Sequence, residues 1–214
     1  FREEYNAGRH TADVMETNQS GQILMQEGGM LQPFYSPNLP FIEEGSIFKT
    51  AAGVLSAGHY QSGISLGYNT KLLAKESVPK TYQELLDPKW KGTVNAKVSN
   101  SGLQHGVWYM LMPILGMDYF KKFGDQKPRA FDSYVQQYGR LVDGQDKIIM
   151  SAQYSGYIEF KAKGAPLAFV FPETGVPAVP ETYGIVADSP HPNAAVLFRD
   201  FLLTEGKKIL AAHG

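Results

Sequence analysis

The stretch IIMSAQYSGYIEFKAKGAPLAFVFPETGVP, residues 148–177, decides the fold. It opens with an apolar run at residues 148–152, which has the length of a buried strand and is too short for a helix. Residues 154–163 follow with side chains at helical spacing, and Gly164 lies where a helix ends in the left-handed conformation. A second apolar run, residues 167–171, then meets a proline. The stretch therefore predicts a strand, a helix and a further strand that leaves its sheet as an edge or crossing segment.

Two interpretations of this stretch are open on residue types alone. In the first, it is a single βαβ unit in which Tyr154 and Tyr157 pack into the core. In the second, Tyr154 contributes to a binding site, because it directly follows a strand.

The composition is that of a globular protein. The 214 residues are 43% hydrophobic and 19% charged, which is enough apolar mass for one large or two small domains. The formal net charge is −1 and Lys and Arg are not clustered, so we expect neither a nucleic acid nor a membrane surface as partner. The absence of cysteine excludes disulfides, thiolate nucleophiles and cysteine-based zinc sites.

Several signatures of catalysis are missing from the sequence. It contains no Gly-x-Ser-x-Gly, Walker loop, Gly-x-Gly-x-x-Gly or His-Glu-x-x-His, so we expect no enzyme. The histidines lack the spacing of metal ligands, and we expect each to be a surface or packed residue: His10, His59, His105, His191 and His213. Three carboxylates could meet only through the fold: Glu16, Glu173 and Glu181.

A polar segment near the start of the chain is the first candidate site. Residues 11–15 are predicted as a short buried strand that runs into a polar loop at residues 16–20. Ligands collect in loops at the carboxyl ends of strands in open α/β sheets. The alternative is that Asp13 or Ser20 merely caps the next helix. The candidate ligand-binding residues here are Glu16, Thr17 and Asn18.

A second candidate site lies where a predicted strand at residues 92–98 meets a predicted helix at residues 103–114. Backbone N–H groups at a helix N-terminus attract an anion or a carbonyl oxygen. The alternative is that one of the serines is only a helix cap. The candidate ligand-binding residues are Ser99, Ser101 and Gly102.

Three further predictions concern the remaining elements. Residues 50–56 and 61–68 are predicted as two strands joined by a turn around residues 58–59, and residues 183–187 as another strand. The clearest helix follows Pro192, where apolar side chains recur on one face: Ala194, Leu197, Phe198, Phe201 and Leu202.

Six motifs resemble, in the same order, the solute-binding proteins of bacterial ABC importers, specifically the ferric-iron-type family with the type II periplasmic binding-protein fold. They are HTADVMETN, LGYNTKLL, KTYQELLDPKWKGTV, SAQYSGY, KAKGAPLAFVFPETGVPA and YGIVADSPHPNAAVLFRDFLL. Each motif is loose, but together they cover most of the 214 residues. The resemblance implies a two-lobed α/β fold, and we expect that the N-terminal part of that fold is missing from this chain.

The resemblance also implies an organisation and a function. Residues 1–69 and 168–214 would form one incomplete lobe, and residues 70–167 the other. The implied function is that of a protein that captures a small solute in the interlobe cleft and delivers it to an ABC permease. Such a protein would be a monomer without a cofactor. It would be periplasmic or otherwise extracytoplasmic, and its signal peptide would lie outside this chain. The alternatives are an enzyme or a ligand-sensing regulator domain on the same fold.

The resemblance leaves the solute open. Ferric members of the family commonly hold the ion with two adjacent tyrosines, a carboxylate and a histidine, but this sequence has Tyr154-Ser155 at the tyrosine pair and Asn18 at the carboxylate. If Fe³⁺ is the cargo, Tyr154 and Tyr157 are the candidate metal ligands, and Glu173 is a substitute carboxylate. The same groups suit hydrogen bonding to an organic or oxyanionic solute at least as well.

Overall fold

The computed structural model describes residues 1–98 and 102–213, in two compact units. Unit 1 comprises Phe1–Gln61 and Val179–Gly214, and unit 2 comprises Ser62–Ala178. Among the residues described, no helix is both long enough and apolar enough to cross a membrane.

Nine strands and eight α-helices follow one another along the described chain. The first part contains α1 (Arg2–Asn6), β1 (Val14–Asn18), α2 (Gln19–Glu27), β2 (Leu31–Gln32), β3 (Ile47–Thr50) and β4 (Gly53–Asn69). The middle contains β5 (Val94–Lys97), α3 (Gly102–Leu115), α4 (Met117–Asp125), β6 (Arg129–Phe131), α5 (Tyr134–Val142), β7 (Ile148–Gln153), α6 (Tyr154–Ala162) and β8 (Leu167–Val170). The last part contains β9 (Ala178–Val186), α7 (Pro192–Phe201) and α8 (Lys207–His213), with a π-helical turn, Leu202–Gly206, before α8.

The sheet of unit 1 has the order β1-β9-β4, with β3 paired to β4 and β2 paired to β9. β1 is antiparallel to β9 in a register that runs from Val14 opposite Ile185 to Asn18 opposite Glu181. The loop predicted at residues 16–20 is therefore wrong. Pairing with β9 extends the strand through Asn18, and α2 begins at the next residue.

The sheet of unit 2 has the order β4-β7-β5-β6, with β8 on the other side of β4. β7 is antiparallel to β4 and parallel to β5. The predicted strand–helix–strand sequence is confirmed as β7, α6 and β8, and Gly164 has the expected positive φ of 79°. The core that this arrangement buries contains Tyr138, Leu141, Ile149, Ala152 and Leu167.

The turn predicted around Gly58 and His59 is wrong, because β4 is one continuous strand of 17 residues. Gly58 serves a close approach instead of a turn. A Cβ at this position would lie 2.5 Å from Cβ of Ser46, in the 3₁₀ segment before β3. The actual turn precedes Gly53, which joins β3 to β4 with a φ of 131°.

The helix predicted after Pro192 is confirmed, but its apolar stripe is largely exposed. Leu197 is 73% exposed, whereas Ala195 and Arg199 are the buried residues of α7. The Arg199 guanidinium stacks over the Phe34 ring at 4.0 Å and donates through Nη2 to the Tyr35 carbonyl at 2.8 Å. The face of α7 that packs in unit 1 is therefore the one that carries Ala195 and Arg199.

A buried carboxylate, Asp146, organises the polar interior of unit 2. Its side chain is fully buried and accepts hydrogen bonds from Arg140 Nε at 2.8 Å, from Asn95 Nδ2 at 3.0 Å and from Arg129. Burial alone would raise the pKa of Asp146, but the bonds from Arg140 and Asn95 and the two arginine charges lower it below its ordinary value. The carboxylate therefore favours folding above pH 4, and that contribution is lost as pH falls through the lowered pKa.

Replacing this carboxylate should destabilise the protein. We expect Asp146→Asn to lower the free energy of unfolding by about 3 kcal/mol, because it leaves two guanidinium groups without their shared anion. Urea unfolding followed by circular dichroism measures the change. The control is Asp118→Asn, whose exposed pair with Lys121 should be worth at most about 1 kcal/mol. Equal losses in the two variants would show that the buried network is not stabilising.

Gly156 of α6 lies directly against Tyr138 of α5. A Cβ there would lie 2.6 Å from Cε2 of Tyr138. The Tyr138 ring is 1% exposed, and its hydroxyl donates to the Gln153 carbonyl at 2.7 Å, so the ring has no room to move. The glycine therefore fixes how the start of α6 lies on the core of unit 2.

A pair of glycine-to-alanine changes tests this packing. Gly156→Ala should destabilise the protein by about 1–3 kcal/mol, because the added methyl overpacks the contact with Tyr138. Gly139→Ala, inside α5, meets no atom within 4 Å and should stabilise the protein by about 0.5–1 kcal/mol through helix propensity. Thermal unfolding of both variants measures the opposite signs. A stabilised Gly156→Ala protein would contradict the assigned contact.

Candidate functional site

Tyr154 lies at the first position of α6, immediately after β7. The capping residue Gln153 makes no side-chain cap, so the first N–H groups of the helix donate no hydrogen bond to its side chain. The Tyr154 side chain is 43% exposed. The interpretation that places both tyrosines in the core is therefore wrong for Tyr154, which the strand-to-helix junction presents to solvent, whereas Tyr157 packs partly buried against the core of unit 2.

Tyr154 belongs to an aromatic cluster that α6 and β8 build together. Its ring meets Phe169 edge-on at 5.2 Å and lies tilted against Tyr157 at 5.7 Å. Phe171 continues the cluster at 5.3 Å from Phe169 and is 66% exposed. Neighbouring rings at these separations stabilise one another and fix their orientations. The cluster offers a preformed aromatic surface with a phenol at its edge.

The other candidate residues of unit 2 divide into described and undescribed positions. Gly102 is the first residue of α3, as predicted for a helix N-terminus. Ser99 and Ser101 lie outside the described residues. Glu173 is exposed in a turn after β8, where its backbone N–H donates to the Lys80 carbonyl at 3.0 Å. The structure thus brings Tyr154 and Tyr157 together, and Glu173 follows on the same chain segment.

The candidate residues of unit 1 lie at the end of β1. Asn18 is 8% exposed, and its Oδ1 accepts from Gly21 N at 3.1 Å and from Ser20 Oγ at 2.6 Å. Asn18 is therefore the N-cap of α2, a role that the sequence had offered to Asp13 or Ser20. The Thr17 carbonyl accepts from Thr182 Oγ1 at 3.1 Å. Glu16, in contrast, is exposed.

Glu16 faces a cluster of ionisable side chains. The sequence had suggested Glu181 as a neighbour of Glu16, but not His59, Tyr60 or Tyr183. His59 Nε2 lies 3.3 Å from Glu16 Oε1, and the His59 side chain is 1% exposed. The imidazole stacks on the Tyr183 ring at a centroid distance of 3.9 Å and meets Tyr60 edge-on at 4.3 Å. Tyr183 is directly opposite Glu16 in the β1–β9 register, so both strands of the pair contribute to the cluster.

The ionisable groups in this cluster shift one another's pKa values. The contact with His59 lowers the pKa of Glu16 below its ordinary value, against the opposing effect of burial. Burial and the nearby Glu16 charge raise the pKa of Glu181 to about 7. Burial and the charges of Glu181 and Glu16 raise the pKa of Tyr60 to about 12. The cluster therefore contains a carboxyl group whose pKa is lowered beside one whose pKa is raised.

The cluster can exchange a proton or hydrogen-bond a polar ligand. Within residues 1–98 and 102–213, no group of three or more His, Cys, Asp or Glu side chains is arranged to hold a metal ion. One sequence signal could have revealed the continuous strand on which His59 lies. Residues 53–68 contain no Pro, Asn or Asp, which favours one uninterrupted strand over two strands and a turn.

The raised pKa of Glu181 predicts a pH-dependent stability. The folded state holds this proton up to about pH 7, whereas the unfolded carboxyl loses it near 4.5. Stability conferred by Glu181 therefore falls as pH rises from about 4.5 to 7. We expect Glu181→Gln to gain stability relative to the wild type across this window, as thermal unfolding at several pH values would show.

Glu27→Gln is the matched control for this measurement. Glu27 is an exposed residue at the end of α2, so its replacement should change stability little. A pH-independent difference for Glu181→Gln would contradict a raised pKa at this position.

Comparison with known proteins identifies the fold. A family model described as bacterial extracellular solute-binding protein matches residues 15–214. An uncharacterized protein from Haemophilus influenzae is 27% identical over 207 aligned residues, which cover 90% of this chain and 58% of that protein. The chain thus spans less than two thirds of the length of this relative.

Two solved structures illustrate the similarity. Iron-bound HitA from Pseudomonas aeruginosa superposes with a TM-score of 0.78 at 21% identity, covering 96% of this chain and 69% of HitA. The periplasmic binding protein AfuA from Actinobacillus pleuropneumoniae, with exogenous fructose-6-phosphate bound, has a TM-score of 0.78 at 24% identity, covering 96% of this chain and 67% of AfuA.

These matches confirm the type II periplasmic binding-protein fold, of which the 214 residues form a part. The family match covers all but the first residues of the chain. The chain belongs to the family of bacterial extracellular solute-binding proteins.

Proposed function

We propose that the protein is the periplasmic solute-binding component of an ABC importer, that it delivers its solute unchanged to a permease, and that the solute is a small organic or oxyanionic molecule. The observation that carries the choice of solute is the aromatic cluster around Tyr154. Rings at fixed orientations with one exposed phenol suit the apolar face of an organic molecule and a hydrogen bond at its edge.

Two features of the chain favour an organic solute over a ferric ion. Ser155 follows Tyr154, so only one phenol lies at the position where the ferric family commonly has two. Asn18 replaces the carboxylate, and its Oδ1 is already occupied in capping α2. A hard cation would lose two anionic ligands through these two residues, whereas a neutral or anionic solute would not require them.

The comparisons are compatible with this choice. HitA holds iron and AfuA holds fructose-6-phosphate on the same fold, so solute type follows from side chains. Fe³⁺ remains the alternative cargo, with Tyr154 and Tyr157 as its ligands. The other predicted contacts, at Glu16, Thr17, Gly102 and Glu173, stay predictions, as do those at Ser99 and Ser101.

A substitution at Tyr154 tests the proposal. The solute is first recovered from the purified full-length protein and identified by native mass spectrometry. Tyr154→Phe should weaken binding of that solute about ten- to a hundredfold, because the partner group loses a hydrogen bond in a desolvated contact. Isothermal titration calorimetry measures the affinity, and thermal unfolding of the solute-free protein should change little.

Tyr109→Phe is the matched control, since Tyr109 is 77% exposed on α3, outside the aromatic cluster. If Tyr154→Phe destabilises the solute-free protein and leaves the affinity unchanged, Tyr154 has a packing role and the proposed site is wrong. A visible charge-transfer band in the wild type with Fe³⁺, lost in Tyr154→Phe, would instead assign iron as the cargo. Chemical change of the recovered solute on incubation would favour an enzyme.

A further inference from the structure

A pocket of about 230 Å³ lies within unit 1, and all of its lining residues belong to that unit. β4 lines the pocket through Gly58–Gln61, and the other lining residues are Ile42, Glu43, Ser46 and Lys207. This volume exceeds what a single water molecule or simple ion needs, so the pocket can hold a molecule of several non-hydrogen atoms. None of its lining residues was predicted as a ligand-binding residue.

His59 lines this pocket and is a buried polar side chain without a hydrogen-bond partner. Neither ring nitrogen makes a hydrogen bond within the described part of the chain, although the side chain is only 1% exposed. Nε2 faces Glu16 at 3.3 Å, and a proton on Nε2 favours this contact. Nδ1 is then left as an acceptor that requires a donor.

Lys207 contributes a positive charge to the same pocket. It is partly buried, and burial lowers its pKa below the ordinary value. No carboxylate within residues 1–98 and 102–213 forms an ion pair with it, whereas the adjacent Lys208 pairs with Glu205 at 2.6 Å. An ammonium group that is partly desolvated and unpaired favours an anionic ligand.

Carboxylates around the pocket limit how much negative charge that ligand can carry. Glu43 lines the pocket and accepts from Gln61 Nε2 at 2.8 Å, and Glu16 lies behind the His59 ring. A doubly charged phosphate would be repelled by both, while a single carboxylate would meet one ammonium group. The hydroxyl of Ser46 supplies a further hydrogen-bonding group.

We propose that this pocket is a second binding site, for a small monocarboxylate that carries a hydrogen-bond donor next to its carboxyl group. The carboxylate pairs with Lys207, and the donor, a hydroxyl or an ammonium group, reaches His59 Nδ1. An ammonium group can also interact with Glu43. The pocket is lined by none of the residues proposed to bind the solute, so this proposal does not depend on the solute-binding function proposed above.

Three nearly isosteric acids test the site in the full-length protein: propionate, L-lactate and L-alanine. Each is titrated at pH 7 and constant ionic strength, while nuclear magnetic resonance follows the backbone amides of Gly58, His59 and Gln61. We expect saturable shifts with lactate or alanine and at least tenfold weaker binding of propionate, which lacks the donor. The acid that binds more tightly shows whether the donor is a hydroxyl or an ammonium group.

Lys207→Gln should weaken this binding at least tenfold, whereas Lys207→Arg should retain it. Lys208→Gln is the matched control and should bind like the wild type, because Lys208 is exposed and already paired. Tyr154→Phe should also leave the shifts unchanged, which separates this site from the proposed solute site. The proposal is overturned if neither lactate nor alanine gives a saturable shift, if propionate binds equally well, or if Lys207→Gln has no effect.

Discussion

The backbone hydrogen bonds of β4 are the constraint on which both units depend. This strand of 17 residues pairs with β3 and β9 in unit 1 and with β7 and β8 in unit 2. A buried strand must satisfy its N–H and C=O groups through its neighbours, so its register fixes theirs. The first half of β4 positions His59 against the Tyr183 ring. The second half of β4 pairs with β7, which leads directly into Tyr154.

Local patterns predicted unit 2 better than unit 1. The strand, helix and strand at residues 148–170 are consecutive, and their periods and the glycine at the helix end are visible in the sequence. Gly58 was wrongly predicted to mark a turn, because the reason for a glycine at this position is the close approach of Ser46, which is distant in sequence. β9 begins at Ala178, five residues before the strand predicted at residues 183–187, and it includes Pro180. The ladder with β1 runs from Glu181 to Ile185, so the missing N–H of the proline is not needed there.

The candidate site shows the same division between local and distant information. Tyr154 could be identified from its place directly after a strand, and its exposure depends on few other residues. Asn18 could not be assigned, because a helix cap and a ligand require the same amide at the end of a strand. His59 could not be found at all, since its burial depends on Tyr183 and its contact with Glu16 depends on the pairing of β1 with β9.

Two carboxyl groups of this chain have pKa values that are shifted in opposite directions. Asp146 is fully buried, but two arginines and an asparagine satisfy it, so its pKa falls and it stabilises unit 2. Burial and the charge of Glu16 raise the pKa of Glu181 to about 7, and Glu181 forms no ion pair with a cation among the described residues. Nearby, His59 lacks a hydrogen-bond partner. Unlike the satisfied carboxylate of Asp146, such groups lower the free energy of unfolding.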